Sequence, residues 1–140
     1  MGILDFIGLG KPETATAKKR ERALKKLTNM YYQSADRLAS ADAAWQLASD
    51  GDDESIVVLL QRFEHLCPNG TQDQDEKRYV HDRLVTLGSR AVPVIKQYVT
   101  RTQAVVWWPL QVLSELVDED EWLDFVAELL EAADNDYWRY

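Results

Sequence analysis

The stretch Leu84 to Val99, LVTLGSRAVPVIKQYV, decides the fold. Leu84 and Leu87 end an apolar stripe at helical spacing, and Gly88 follows at once. A glycine just past the last periodic residue suits the left-handed conformation that closes many helices, because it has no Cβ to clash. Ser89 stands where a side-chain oxygen caps the next helix by accepting an orphan backbone N–H. Pro93 falls close to that helix start, where a missing N–H costs little. Ala91, Val94, Ile95, Tyr98 and Val99 continue the apolar face. Two helices joined this tightly must fold back as an antiparallel pair, the unit of a helical repeat array.

Working outward, helical periodicity continues in both directions, and no segment alternates as a strand does. A helix is predicted over 15–32, with Leu24, Leu27 and Tyr31 at helical spacing among Lys18, Lys19, Arg20, Arg22, Lys25 and Lys26. A second covers 35–48, with Leu38, Ala41, Trp45 and Ala48 on one face. After a turn at 50–53, Ile56, Leu59, Leu60, Phe63 and Leu66 stripe a third. Residues 68–74, PNGTQDQ, read as a loop, with Pro, Asn-Gly and no apolar residue. Helices follow from about 75 to 87 and from about 90 to 100. Pro109 belongs in a first turn, since proline deep in a helix costs ~3 kcal/mol. Asp118 and Glu121 have the D-x-x-E spacing of a capping-box variant. Trp122, Val126, Leu129 and Ala133 stripe the last helix, before the aromatic tail Tyr137-Trp138-Arg139-Tyr140.

Three hairpins line up around Leu47, Leu87 and Leu116, which are 40 and 29 residues apart. A pattern shared at roughly 30–45 residues is what stacked helical pairs produce. The run Leu87-Gly88-Ser89-Arg90-Ala91-Val92-Pro93-Val94-Ile95 resembles the Leu-Gly-x-x-Ala-Val-Pro-x-Leu turn of the HEAT-repeat family. The resemblance spans residues 34–133; the outer units lack the glycine and the internal proline. The chain is also similar to small bacterial HEAT-repeat proteins that begin with a Met-Gly-apolar segment. The resemblance implies an all-α fold, a short right-handed α-α superhelix of about three helical hairpins plus an N-terminal helix. It also implies that the protein binds other macromolecules.

The chain has 140 residues, which fits an apolar segment, 1–13, followed by one helical-repeat domain, 14–140. A compact fold of this size buries roughly 70% of the unfolded chain's surface, enough for a core without staples. Cys67 is the single cysteine, so no intramolecular disulfide forms, and a reducing cytoplasm suits the chain. No apolar run approaches the ~18 residues that span a bilayer. Residues 1–10 lack the basic start and small-residue cleavage site of a secretory signal. The net charge of −8 is spread unevenly. Residues 1–40 hold eight basic against four acidic side chains, 41–100 six against ten, and 101–140 two against ten. Phosphate binding needs a basic face, so nucleic acid is disfavoured along most of the molecule.

Candidate chemistry is sparse. His65, Cys67 and His81 are too few and too widely spaced for a metal site, which needs three or four ligands at fixed spacing. They read better as a core cysteine and two surface histidines. Asp50 to Ser55 fails as a calcium loop, because Ser55 and Gln61 stand where glycine and glutamate are required. No phosphate loop or nucleophile motif occurs. The di-iron hydroxylases of HEAT-like architecture carry repeated His-Glu pairs, and this chain has none. HEAT-like DNA glycosylases need a basic groove, whereas residues 101–140 are strongly acidic. No cofactor, small-molecule substrate or catalytic residue is expected.

The expected function is that of a non-enzymatic adaptor that binds a protein, with a basic segment in the partner. Successive helical residues point about 100° apart, so of Trp107 and Trp108 one is expected in the core and the other exposed or over the turn. Exposed tryptophan favours binding hot spots. With Asp118, Glu119, Asp120 and Glu121, these residues make the candidate binding surface. The alternative is a membrane-peripheral module. Ile3, Leu4, Phe6 and Ile7, followed by Lys18, Lys19 and Arg20, can either cap the end of the array or meet an anionic leaflet. The expected location is the cytoplasm, with the inner face of the membrane as its alternative.

Overall fold

The computed structural model describes residues 14–102 and 106–139, with side chains as far as 133. Seven α-helices run through them: α1 (Ala15–Leu27), α2 (Ser34–Ser49), α3 (Asp53–Gln61), α4 (Gly70–Thr86), α5 (Val92–Arg101), α6 (Trp107–Leu116) and α7 (Glu119–Arg139). Short 3-10 turns occupy Arg62–Glu64 and Gly88–Ala91. No strand occurs among the described residues.

From α1 to α6, helices two apart in the chain pack on one another: α1 on α3, α2 on α4, α3 on α5 and α4 on α6. Neighbours add cross-links, α1 to α2, α2 to α3, and α5 to α6. Helix α3 is the centre, touched by α1, α2, α4 and α5. Its Ile56, Val58, Leu59 and Leu60 are all buried, because a helix with neighbours on most sides can be apolar on most sides. In α2 the buried row is Ala41, Ala44 and Ala48, with Leu38 and Trp45 only half-buried at its edge. Small residues there let α1, α3 and α4 approach closely.

Around Gly88 the structure combines the expected turn with one difference. Gly88 has φ +72°, the left-handed conformation its position called for. Pro93 is the second residue of α5. Ser89, however, caps nothing. The 3-10 turn runs straight into α5, and Val92 N–H bonds back to the Ser89 carbonyl, so the backbone supplies what a cap would. Arg90 does the capping instead, on the preceding unit. Its guanidinium donates to the Ala48 carbonyl and, at 3.5 Å, to that of Ser49, satisfying the end of α2.

Residues 68–74 are mostly helix and not loop, since α4 starts at Gly70. Asn69 is the N-cap, accepting the Gln72 N–H at 3.0 Å. The segment has no apolar stripe because the residues it turns inward are Asp73, Glu76 and Lys77. Leu66 is a second correction: it is 76% exposed, because α3 yields to a 3-10 turn at Arg62 and the helical stripe stops there.

Candidate functional site

Arg37, Arg62, Asp73, Glu76 and Lys77 form a buried ionic network. Arg37 holds Glu76 through two bonds, Nε to Oε1 at 2.6 Å and Nη2 to Oε2 at 2.7 Å. Arg62 Nη2 donates to Asp73 Oδ1 and Glu76 Oε1, each at 3.0 Å. The Lys77 ammonium lies 2.8 Å from Asp73 Oδ2. Backbone carbonyls take other guanidinium protons: Tyr32 and Met30 from Arg37, His65 from Arg62. Burial pushes both carboxyls up, but the hydrogen bonds overcome it. Bonds from Arg37, Ser34 and Arg62 hold Glu76 below its ordinary range. Bonds from Lys77, the Cys67 N–H and Arg62 do the same for Asp73. The network faces inward and pins the start of α2, the end of α3 and α4 together. Sequence patterning missed it, since buried charges mimic a polar surface.

The two tryptophans part as helical geometry requires. Trp108 is buried and stacks on Phe63, with ring centroids 5.8 Å apart and planes within 5°. Arg78 covers it, its guanidinium 5.7 Å from the ring centroid. Trp107 is 57% exposed and meets Trp108 edge-on. His81 is buried, not on the surface as its polarity suggested, because α6 packs over α4. Its ring nitrogens lie 2.8 Å from Asp82 Oδ1 and 2.7 Å from Glu115 Oε2. Cys67 is buried, and its thiol donates to Gln72 Oε1 at 3.2 Å. Among the described residues, no three His, Cys, Asp or Glu side chains gather where they could hold a metal ion.

The acidic residues lie elsewhere. Asp118 caps α7, accepting the Glu121 N–H at 2.8 Å. Glu121 does not return the bond; its carboxylate takes Lys96 at 2.8 Å. Glu119 and Asp120 are exposed. Trp107 opens α6 and Asp118 lies beyond its end, ~15 Å along the axis at 1.5 Å per residue. Trp107 and Asp118 thus stand at opposite ends of α6, and Trp108 belongs to the core.

Helix α7 carries an exposed apolar row that sequence reading missed. Leu123 is 49% exposed and Leu130 62%, with exposed Ala127 between them. Spacings of four and three residues put all three on one face. Asp120, Asp124 and Glu131 lie along one flank of that row and Glu119 at its start, and all four are exposed. Trp122, Phe125 and Leu129 turn inward, with Val126 half-buried between the two rows, and the Trp122 indole donates to the Leu110 carbonyl at 2.9 Å. The inward stripe alone satisfied the helical period, which is why the second row went unread. Ala133, expected on the inward stripe, is exposed near the helix end.

Helix α1 is the opposite in charge. Lys18, Lys19, Arg22 and Lys25 are exposed. Arg20 is not available with them, since it pairs with Asp52 at 2.8 Å and Glu54 at 2.9 Å and so ties α1 to the start of α3. A groove of about 480 Å³ runs between α1 and α2. Lys19, Arg22 and Lys26 line one side of it; Ala39, Ala43 and Leu47 line the other, with Asp36 and Asp50 at its two ends. Ile3, Leu4, Phe6 and Ile7, the candidate cap or membrane contact, and the tail side chains of residues 137–140 lie outside the described residues. Among those described, no helix is long and apolar enough to cross a membrane. No protein-family model, curated protein or solved structure matches the chain.

Proposed function

We propose that the protein is a non-enzymatic docking module, a short HEAT-like array of helical pairs. Its last helix binds a basic, amphipathic segment of a partner protein. One observation carries the proposal: Leu123 and Leu130 stand exposed on one face of α7 with a row of carboxylates along one flank. Burying such a side chain fully is worth ~1.5–3 kcal/mol, so two of them make a modest anchor. The surrounding acids steer a basic partner and set its orientation more than they add affinity. Trp107, exposed at the start of α6, offers a secondary contact.

The test is affinity capture from the source cell with three forms of the protein, read by quantitative mass spectrometry. The doubly substituted Leu123→Glu, Leu130→Glu form is expected to lose a specific set of proteins that wild type and Trp107→Ala retain. Identical capture by all three forms contradicts the assignment of α7.

A further inference from the structure

We infer that the basic segment bound by α7 is the α1–α2 end of a second copy, so that copies associate head to tail. The inference rests on the docking role given to α7 above and names the partner. Three observations on the chain carry it.

The first is charge. Among the described residues, Lys18, Lys19, Arg22 and Lys25 on α1 enter no ion pair. The same holds for Glu119, Asp120, Asp124, Glu128 and Glu131 on α7. Elsewhere several charges pair across helices, as Arg83 does with Asp42 and Lys96 with Glu121, while unpaired ones such as Asp36, Asp75, Arg78 and Arg101 are scattered and of both signs. Unpaired charge of opposite sign is thus concentrated on the first and last helices.

The second is shape. Lys19, Arg22 and Lys26 repeat at three and four residues, as a wall of the groove. Leu123, Ala127 and Leu130 repeat at four and three. Both rows span two helical turns, ~10.5 Å. A leucine ridge laid on the groove reaches Ala39, Ala43 and Leu47, between Asp36 and Asp50 at the two ends of that wall, while its carboxylates turn to the cationic wall of Lys19, Arg22 and Lys26. An amphipathic helix in a groove is a recurrent mode of recognition.

The third is topology. Helix α1 packs chiefly on α2 and α3, and α7 chiefly on α6, so the two surfaces sit at opposite ends of the chain of contacts. One copy therefore presents a ridge and a groove on different faces. Such a contact is heterologous, and repetition gives rings or open chains in place of a closed two-fold dimer.

The experiment is sedimentation velocity on the full-length protein from about 5 to about 500 µM, spanning weak affinities. Wild type is expected to grow past monomer mass, with association weakened about tenfold between ~50 and ~500 mM NaCl by screening. The ridge variant, Leu123→Glu with Leu130→Glu, and the groove variant, Lys19→Glu with Arg22→Glu, are each expected to stay monomeric alone. Mixed, they keep one working ridge and one working groove, so they should form a 1:1 dimer and nothing larger. Wild type that stays monomeric throughout overturns the inference, as does a mixture that fails to dimerise while wild type associates. If wild type is monomeric yet capture of another protein still needs Leu123 and Leu130, only self-association falls. If capture is indifferent to them as well, the docking role of α7 falls too.

Discussion

Replacing Glu76 by alanine should be among the most damaging single changes in the molecule. Its carboxylate accepts five hydrogen bonds, from Arg37 Nε and Nη2, Arg62 Nε and Nη2, and the Ser34 hydroxyl. Both guanidiniums are buried, so neither can turn to water when the acceptor goes. Breaking a buried ion pair from one side costs ~3–5 kcal/mol, mainly through the uncompensated charge left behind. A domain's whole stability is ~5–15 kcal/mol. At ~2–4 °C per kcal/mol for a chain near this size, the midpoint should fall by on the order of 10 °C or more. Glu76→Gln keeps one acceptor oxygen but turns amide protons toward donors, and should fall between alanine and wild type. Urea unfolding followed by circular dichroism, with unchanged m-values, measures both. A loss below ~1 kcal/mol for Glu76→Ala refutes the claim that this network pins α2, α3 and α4, because that is the range of an exposed pair.

Three further predictions follow from particular contacts. The carboxyls of Asp73 and Glu76 lie below their ordinary range when folded, so the unfolded chain binds more protons in acid. Their stabilisation is complete above the ordinary carboxylate range and is lost as pH falls below ~5; urea midpoints from pH 7 to 3 should show a drop that is blunted in Glu76→Gln. Trp108→Ala removes a ring stacked on Phe63 and should cost ~3–5 kcal/mol, whereas Trp107→Ala should cost under ~1 kcal/mol; equal thermal shifts would show that the two rings do not divide as described. Gly88→Ala meets no atom within 4 Å of the new Cβ but is held at φ +72°, so the cost is conformational, ~1–2 kcal/mol, and Gly88→Asn should cost less; a neutral alanine in chemical denaturation would mean that the turn relaxes.

Much of the architecture was legible because the core helices repeat their apolar residues at the helical period. Ile56, Leu59 and Leu60 in α3, and Ile95 and Val99 in α5, are buried as their spacing requires. Gly88 and Pro93 were legible through backbone chemistry alone. What failed was anything held by polar burial. Asp73 helped give the start of α4 a loop's composition, and Glu76 and Lys77 read as helix surface, although Arg37 and Arg62 meet the two carboxylates inside and Lys77 pairs with Asp73. Partners 39 residues apart, such as Arg37 and Glu76, leave no local trace. The candidate surface was half legible. The acidic start of α7 was visible in sequence, but the outward Leu123 and Leu130 could not be told from core leucines until the position of α6 was known. Trp107 and the acids at 118–121 stand at opposite ends of α6.

The central claim is that the outer face of α7 is a docking surface, and site-specific photocrosslinking in cells tests it most directly. A benzophenone amino acid at Ala127, the exposed position between the two leucines, should give a discrete adduct whose mass fits a second copy or another protein. The same probe at exposed Gln74 on α4 should give none. No adduct from Ala127, or the same adduct from both positions, would contradict it.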